Sequence, residues 1–363
     1  MFLDKISNTS SEITRNVEYL KRSAYPLVLY GAGPFATRIR ELLLYHEIKI
    51  DHVVKSDEYY VPNSFFHNQP IERISDVLTL YHKVDIILAL EDYKNKSAEL
   101  LQSQKVSCCI IFDATSFQFD FGDYYNTVKE HSFELEKFYL QLADEHSREL
   151  MVAFINARIS GNLEALIKLN IPNEKQYFPE FLSFSDNEVF VDCGAFDGDT
   201  VISFIQKTKE KYSKIYAFEP DKNNIEKLKK NMAPFNHIEI IEKGCFSSKN
   251  TLFFNDGQGV ASFIANQGNI KIEVDTVDHI VSDKVTFIKM DIEGSELEAL
   301  KGAQNTIISN TPRLAISLYH KPEDFYTIPQ YIYALNEKYK FYLRHYGLFS
   351  AELVLYAIPS DSF

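Results

Sequence analysis

The chain has 363 residues, 45% of them hydrophobic, which suits two buried cores better than one. Its formal charge of −13 comes without any block of Lys and Arg, which argues against nucleic acid or an anionic membrane surface as a partner. Four cysteines form neither a disulfide framework nor a zinc-type CxxC pair, no apolar run approaches about 20 residues, and Met1–Arg15 lacks a signal-peptide core; a cytoplasmic protein without membrane insertion is expected.

Residues 1–24 read as a helical lead-in. Leu27–Tyr30 is a short apolar strand, followed by the glycine turn Gly31-Ala32-Gly33-Pro34-Phe35-Ala36 and a helix with Ile39, Leu42 and Leu43 at helical spacing. Ile48–Val54, Asp85–Leu90 and Val106–Phe112 read as further strands. Cys108 and Cys109 alternate across the last of them as small core residues. Such alternation of strands and helices predicts a small parallel α/β domain over 1–120. From Tyr124 to Asn170 there is no proline and one glycine, Gly161, while Phe138, Leu142, Leu150, Phe154 and Ile155 recur at helical spacing. One or two helices bridging the halves are expected, in a linker over 121–175.

The second domain, 176–363, opens at Tyr177-Phe178-Pro179. Its first strand ends at Asp192 and its second, Ile215–Phe218, at Glu219-Pro220. Asp221 is placed to cap a helix whose Ile225, Leu228 and Met232 share one face. Ile238–Ile241 is a third strand, and Thr251–Asn255 and Lys271–Val274 are short strands around an irregular loop. Val285–Met290 is a buried strand ending in Asp291-Ile292-Glu293-Gly294, after which Ser295 and Glu298 spell a capping box. Leu314–Leu318 follows, and Phe341–Tyr346 with Glu352–Ile358 form a closing antiparallel pair.

The run Val189-Phe190-Val191-Asp192-Cys193-Gly194-Ala195-Phe196-Asp197-Gly198-Asp199-Thr200 carries the most information. A glycine turn at the carboxyl end of a strand, opening a helix, is a ligand loop. This one holds three aspartates and no Lys or Arg. Phe196 stands where a glycine would admit a pyrophosphate, and Asp197 and Asp199 would repel one. The loop suits a cation, or a ligand rich in hydroxyls and amines, such as S-adenosylmethionine. Glu219, 27 residues after Asp192 at the next strand end, faces the same crevice and can accept both hydrogen bonds of a ribose diol.

The segments QYFPEF (176–181), VFVDCGAFDGDT (189–200), IYAFEPD (215–221), FIKMDIEGSELEALKGA (287–303), PRLAISLYH (312–320) and the closing LRHYG…ELVLYAIP resemble, in order, the FkbM family of S-adenosylmethionine-dependent methyltransferases. The resemblance covers about half the chain. It implies an α/β fold: a class I methyltransferase, Rossmann-like sheet of seven strands with the last antiparallel, beside the smaller N-terminal Rossmann-like domain. It implies that Asp192, Gly194, Phe196, Gly198 and Asp199, with Ala195, Asp197 and Thr200 of the same loop, hold the methionine side of the cofactor. Glu219, with Pro220, would hold the ribose, Lys243-Gly244-Cys245 would lie near the adenine, and Tyr177 would close over the cofactor. The acceptor implied is a small hydroxylated metabolite, a sugar or glycan precursor of polysaccharide biosynthesis.

Methyl transfer to a hydroxyl needs alignment and a proton acceptor. His320 in LYHKPE is the first choice of general base, since an unperturbed imidazole titrates near 6.5. Asp291 and Glu293 in MDIEGSE are its partners at the neighbouring strand end, and Lys289 shares the side of Asp291 on a regular strand. Two acids and an imidazole can ligate a divalent ion, but 291, 293 and 320 form no recognised metal motif, and no metal is expected. Arg344 and His345 either touch the acceptor or serve core or surface roles. The turn at Gly31 and Gly33 fits G-x-G-x-x-A and resembles Rossmann-type nucleotide-binding domains of polysaccharide-biosynthesis proteins. It leaves a nucleotide or nucleotide-sugar open, with Asp51 or Asp57 as the ribose acid, against a structural or oligomerisation role. A homo-oligomer is compatible with the sequence. Two other classes stay open: a non-catalytic cofactor-binding scaffold, and an NAD-dependent oxidoreductase using the N-terminal turn.

Overall fold

The computed structural model describes residues 2–7, 12–90, 93–113, 124–254, 264–265, 270–347 and 349–360. The expected strand end at Asn255 and the domain boundary near 120 fall outside these residues.

The N-terminal unit comprises α1 (Glu12–Arg22), β1 (Leu27–Tyr30), α2 (Pro34–Tyr45), β2 (His52–Lys55), β3 (Phe65–Phe66), β4 (Gln69–Arg73), α3 (Ile74–Leu80), β5 (Val84–Leu88), α4 (Tyr93–Leu101) and β6 (Val106–Ile111). They build one six-stranded sheet in the order β3-β4-β2-β1-β5-β6. All but the β3–β4 pair is parallel, which suits the wholly apolar β1 and the nearly apolar β5. Two sequence expectations are corrected here. The strand expected at Ile48–Val54 begins only at His52, because the amides of His46, Glu47 and Ile48 turn back to close α2 on Leu42, Leu44 and Leu43. The β3–β4 hairpin was missed, since β3 is only two residues long and β4 is mostly polar and contains Pro70.

The segment read as one or two helices is four: α5 (Tyr124–Glu130), α6 (Ser132–Gln141), α7 (Glu145–Ser160) and α8 (Glu164–Lys168). Asp144 starts α7 by accepting the Ser147 amide at 2.8 Å, and Gly161 ends it with φ 81°. The corner between α6 and α7 is stitched to the far sheet: the Ala143 amide donates to Phe341 O at 2.8 Å, and Arg344 pairs with Asp144 at 2.6 Å.

The C-terminal unit runs through β7 (Val189–Cys193), α9 (Asp199–Lys207), β8 (Lys214–Phe218), α10 (Lys222–Met232), β9 (Ile238–Ile241), β10 (Gly244–Cys245), β11 (Asn250–Phe254), β12 (Ile264–Ala265), β13 (Ile270–Asp275) and α11 (Val277–Ile280). It continues with β14 (Phe287–Met290), α12 (Glu296–Gly302), α13 (Gln304–Asn310), β15 (Arg313–Ser317), α14 (Asp324–Leu335), β16 (Tyr339–His345) and β17 (Leu353–Pro359). Seven strands form one sheet in the order β16-β17-β15-β14-β7-β8-β9. The last strand, β17, is antiparallel to both neighbours, as expected. A side sheet, β10-β13-β11-β12, stands beside it. Chain order reverses between β7 and β14, so the crevice of the sheet opens at their carboxyl ends. Among the described residues no helix is long and apolar enough to cross a membrane.

Aromatic packing fixes the entrance to this unit. Phe178 of QYFPEF sits on Phe190, Phe204 and Phe287, with centroids 5.9–6.4 Å apart, while Phe190 and Phe204 lie at 4.5 Å. The other face of the sheet shares a core with its neighbours. Val28, Tyr30 and Leu88 of the N-terminal sheet, Phe138 and Phe154 of the bridging helices, and Val191, Ile288 and Leu314 form one continuous apolar cluster. Phe190→Ala should therefore cost about 3–5 kcal/mol of stability in urea unfolding; a loss below about 1 kcal/mol would mean that the cluster does not carry the sheet.

Candidate active site

The turn after β7 is strapped to the end of β8. The amides of Gly194 and Ala195 both donate to Phe218 O, at 3.0 and 2.9 Å, and the Phe196 amide donates to Glu219 Oε2 at 2.9 Å. Gly194 has φ 92°, and a Cβ there would lie 2.1 Å from Asp291 O. The β7 and β14 turns thus meet at a point only glycine permits.

Above that point lies a cavity of about 670 Å³, within the usual size of a cofactor site. Its wall includes Tyr177, Gly194, Phe196, Asp199, Thr200, Glu219, Pro220, Gly244, Cys245, Asp291 and Glu293, all anticipated from the sequence. It also includes Phe246, Leu252, Ile272 and Val274, an apolar wall from the side sheet that no motif revealed, and Glu352, which opens the matched segment ELVLYAIP but was given no site role. Lys289, whose side of the strand was foreseen, joins them.

Several expected positions lie behind the wall. Asp192 is fully buried and does not reach the cavity. Its Oδ1 is 3.0 Å from Lys289 Nζ, which hydrogen-bonds to Gly194 O at 2.7 Å. Burial pushes the Asp192 carboxyl up to about 6 against the pull of Lys289. For Lys289 burial acts downward, but Asp192 and Asp291 outweigh it and the ammonium is held above its usual range. Ala195, Asp197 and Gly198 shape the turn from behind; Gly198, at φ 93°, packs against Met232 and Leu228. Lys243 turns from the cavity to pair with Asp275 at 2.7 Å.

Glu219 is 6% exposed and faces the cavity with its carboxylate already fixed by the Phe196 and Asp221 amides. Asn224 Nδ2 also donates to Oε1, at a longer 3.4 Å; of about four acceptor positions on a carboxylate one is left free, and a diol hydroxyl could take a second by displacing this long contact. Burial raises its pKa, against the hydrogen bonds.

On the acceptor side, Tyr177 donates to Asp291 Oδ2 at 2.8 Å. Glu293 opens onto the cavity with its side chain 42% exposed. Its desolvated surroundings lift the carboxyl to about 7. His320 is only 5% exposed and does not line the cavity. Burial opposes its charge, but Glu296, Asp291 and Glu293 outweigh this and hold the imidazole at about 10. That corrects its expected use as a free base near 6.5: the ring is charged at neutral pH and cannot take a proton. The capping box is corrected as well. Ser295 makes no side-chain cap, and Glu296 Oε1 instead accepts from the amides of Ile292 and Gly294. Arg344 is committed to Asp144, and His345, held neutral at about 4 by burial, donates to Phe349 O; neither meets the cavity.

The N-terminal turn is less built. Gly31, at φ 123°, packs on Ala89 O, while a Cβ on Gly33 would meet nothing within 4 Å. Asp51 accepts from the Leu27 amide at the strand start, and Asp57 from the Ser75 amide.

Sheet order, the turn at the switch point and a ribose-type acid at the next strand end define the class: an S-adenosylmethionine-dependent methyltransferase fold. Residues 192–342, within the C-terminal unit, match the family model described as the methyltransferase FkbM domain. The crystal structure of methyltransferase FkbM from Methylobacillus flagellatus KT is similar over 98% of both chains, at 24% identity and TM-score 0.79, so both units share its fold. An rRNA methylase from Streptococcus thermophilus is similar over 48% of this chain and 88% of its own, at 15% identity and TM-score 0.33. Aeropyrum pernix fibrillarin, with natively bound S-adenosyl-L-methionine, is similar over 49% and 70%, at 10% identity and TM-score 0.30. No curated protein sequence matches the chain.

Gly194→Ala should weaken S-adenosylhomocysteine binding at least about tenfold in calorimetry and lower the unfolding midpoint, because the new methyl collides with Asp291 O at a left-handed backbone position. Gly33→Ala is the control and should change neither; equal effects from the two would show that the β7–β14 approach is not what the glycine serves.

Proposed function

We propose that this protein O-methylates a hydroxyl of a sugar or glycan precursor. The observation that carries the reading is the composition of the acceptor side: three carboxylates, Asp291, Glu293 and Glu352, and the phenol of Tyr177 share one cavity wall with the cofactor positions. Carboxylates and phenols hydrogen-bond hydroxyls, and an acceptor rich in them satisfies such a wall best.

S-adenosylmethionine, when bound, supplies an electrophilic methyl group on a sulfonium. Glu219 would hold its ribose, Gly244, Cys245, Phe246, Leu252 and Val274 its adenine, and Gly194, Asp199 and Lys289 its amino-acid end. Among the described residues, Lys289 offers the one cation on that wall for a carboxylate. Asp192 acts through Lys289 and holds it beneath the turn. Asp291, fixed by Tyr177, orients the acceptor. Glu293 takes the hydroxyl proton: it reaches the cavity, is half open, and has no hydrogen bond of its own to break among the described residues. His320 keeps these acids in place and does not transfer the proton.

Glu219→Ala removes two charge-assisted hydrogen bonds and frees two buried amides; S-adenosylhomocysteine affinity should fall at least about tenfold. Glu293→Gln should bind it within about threefold of the parent while turnover falls about a hundredfold or more. The assay supplies the full-length chain with S-adenosylmethionine and a panel of free hexoses, nucleoside-diphosphate hexoses and amino sugars. Products are read by mass spectrometry. An O-methylated sugar is the expected product. Methylation of amines alone, or full turnover by Glu293→Gln, would overturn the assignment.

A further inference from the structure

We propose that His320, Asp291 and Glu296 form a divalent-cation site beneath the acceptor side of the cavity. These residues converge from separate places: Asp291 and Glu296 from the turn between β14 and α12, His320 from just past β15. One donor atom from each lies within 4.8 Å of the others. Bonds of about 2.1 Å to a common ion put neighbouring donors roughly 3.0–3.4 Å apart. One ion takes one ring nitrogen: Nε2 lies 3.6 Å from Asp291 Oδ1, and Glu296, whose Oε1 now sits 3.0 Å from the opposite nitrogen Nδ1, would turn its unpartnered Oε2 to the same ion.

The second observation is the histidine itself. Its ring is 95% buried, yet neither nitrogen makes a hydrogen bond among the described residues. Buried polar groups are ordinarily satisfied, and a divalent ion would take the place of the proton that the three surrounding carboxylates hold on the ring. Glu296 Oε2 is buried and likewise without a partner. The rest of each carboxylate is already anchored. Glu296 Oε1 is fixed by the Ile292 and Gly294 amides, and Asp291 Oδ2 by Tyr177. Such anchoring is what holds ligands ready for an ion.

Charge points the same way. Glu293 Oε2 also lies 3.7 Å from Nε2, which puts three carboxylates around one imidazole. The nearby ammonium of Lys289 is taken up by Asp192 and Gly194 O. An imidazole with carboxylates suits Mn²⁺ or Zn²⁺ better than Ca²⁺, which prefers oxygen donors alone. Asp291 belongs to the cavity wall, so an ion held there would also reach an acceptor oxygen and ease loss of its proton to Glu293. That last consequence rests on the proposed methyl transfer; the site does not.

The test needs neither methyl donor nor acceptor. Full-length protein is stripped with a chelator, desalted and titrated calorimetrically with MnCl₂ and, separately, ZnCl₂. At least one of the two should bind at about one ion per chain. Glu296→Gln and His320→Gln should each weaken that binding at least about tenfold. Should either variant fail to fold by circular dichroism, Asp291→Asn, whose side chain is 24% exposed, gives the same comparison. Absence of binding by the parent chain, or binding unchanged in the folded variants, would overturn the proposal and leave His320 as a counter-ion to its three acids.

Discussion

Burying the Lys289 ammonium beneath the turn after β7 obliges the fold to supply it with partners, and those partners are the switch point of the sheet. Asp192 from β7 gives the counter-charge and Gly194 O the hydrogen bond. Removing one member of such a buried pair typically costs about 3–5 kcal/mol, because the other charge is left uncompensated. The pair therefore does more than line a cavity. It locks β7 to β14, sets the height of the Gly194 carbonyl, and lets the Gly194 α-carbon press against Asp291 O. Everything on the acceptor side follows from where Asp291 then stands.

The cavity is also where the backbone is least relaxed. Four of the twelve non-glycine residues with positive φ among the described residues line it: Tyr177 at 63°, Phe196 at 48°, Glu293 at 56° and Glu352 at 54°. Left-handed backbone costs a side-chain-bearing residue roughly 1–2 kcal/mol. Hydrogen bonds offset the cost at three of them. The Tyr177 amide donates to Tyr356 OH at 3.0 Å, the Phe196 amide to Glu219, and Glu352 accepts from Gln176 Nε2 at 2.5 Å. Strain held in this way turns a side chain into a cavity that a relaxed backbone would turn away from it.

This explains what could be read from the residues alone. The Asp221 cap and the positions of Gly194, Glu219, Asp291 and Glu293 were legible because each rests on local chemistry: a strand end, a glycine turn, an acid at a fixed offset; the seven strands with an antiparallel last one were implied by the family resemblance. What was hidden depends on distance through space. His320 reads as a free base until three carboxylates, from positions 291, 293 and 296, are seen around it. Asp192 reads as a cavity residue until Lys289 is found to intervene. The apolar wall from Leu252, Ile272 and Val274 has ordinary strand composition, so no local signal marks it. Glu352 opens the matched segment ELVLYAIP, but only the pairing of β16 with β17 shows that it reaches the cavity.

Glu352 also ties the N-terminal unit to the site. It closes the turn from Tyr346, whose amide donates to Glu352 O at 3.1 Å. That turn is held from three directions. Phe35, just past the N-terminal glycine loop, packs on Phe349 at 5.2 Å between centroids. Asp113, beyond the end of β6, accepts the Ser350 amide at 3.3 Å, and Arg158 of α7 donates to Ser350 O at 2.8 Å and to Tyr319 O. The carboxyl ends of β1 and β6 in the first sheet thus abut the segment that carries an acid into the second. A glycine at position 31 lets the chain turn tightly over Ala89 and start α2 where Phe35 can reach Phe349. Within the described residues, the helix that follows the glycine loop thus packs against the turn that carries Glu352 to the cavity. The two units share more than a covalent connection, since Phe35 contacts Phe349 and Asp113 accepts from Ser350, a few residues before Glu352.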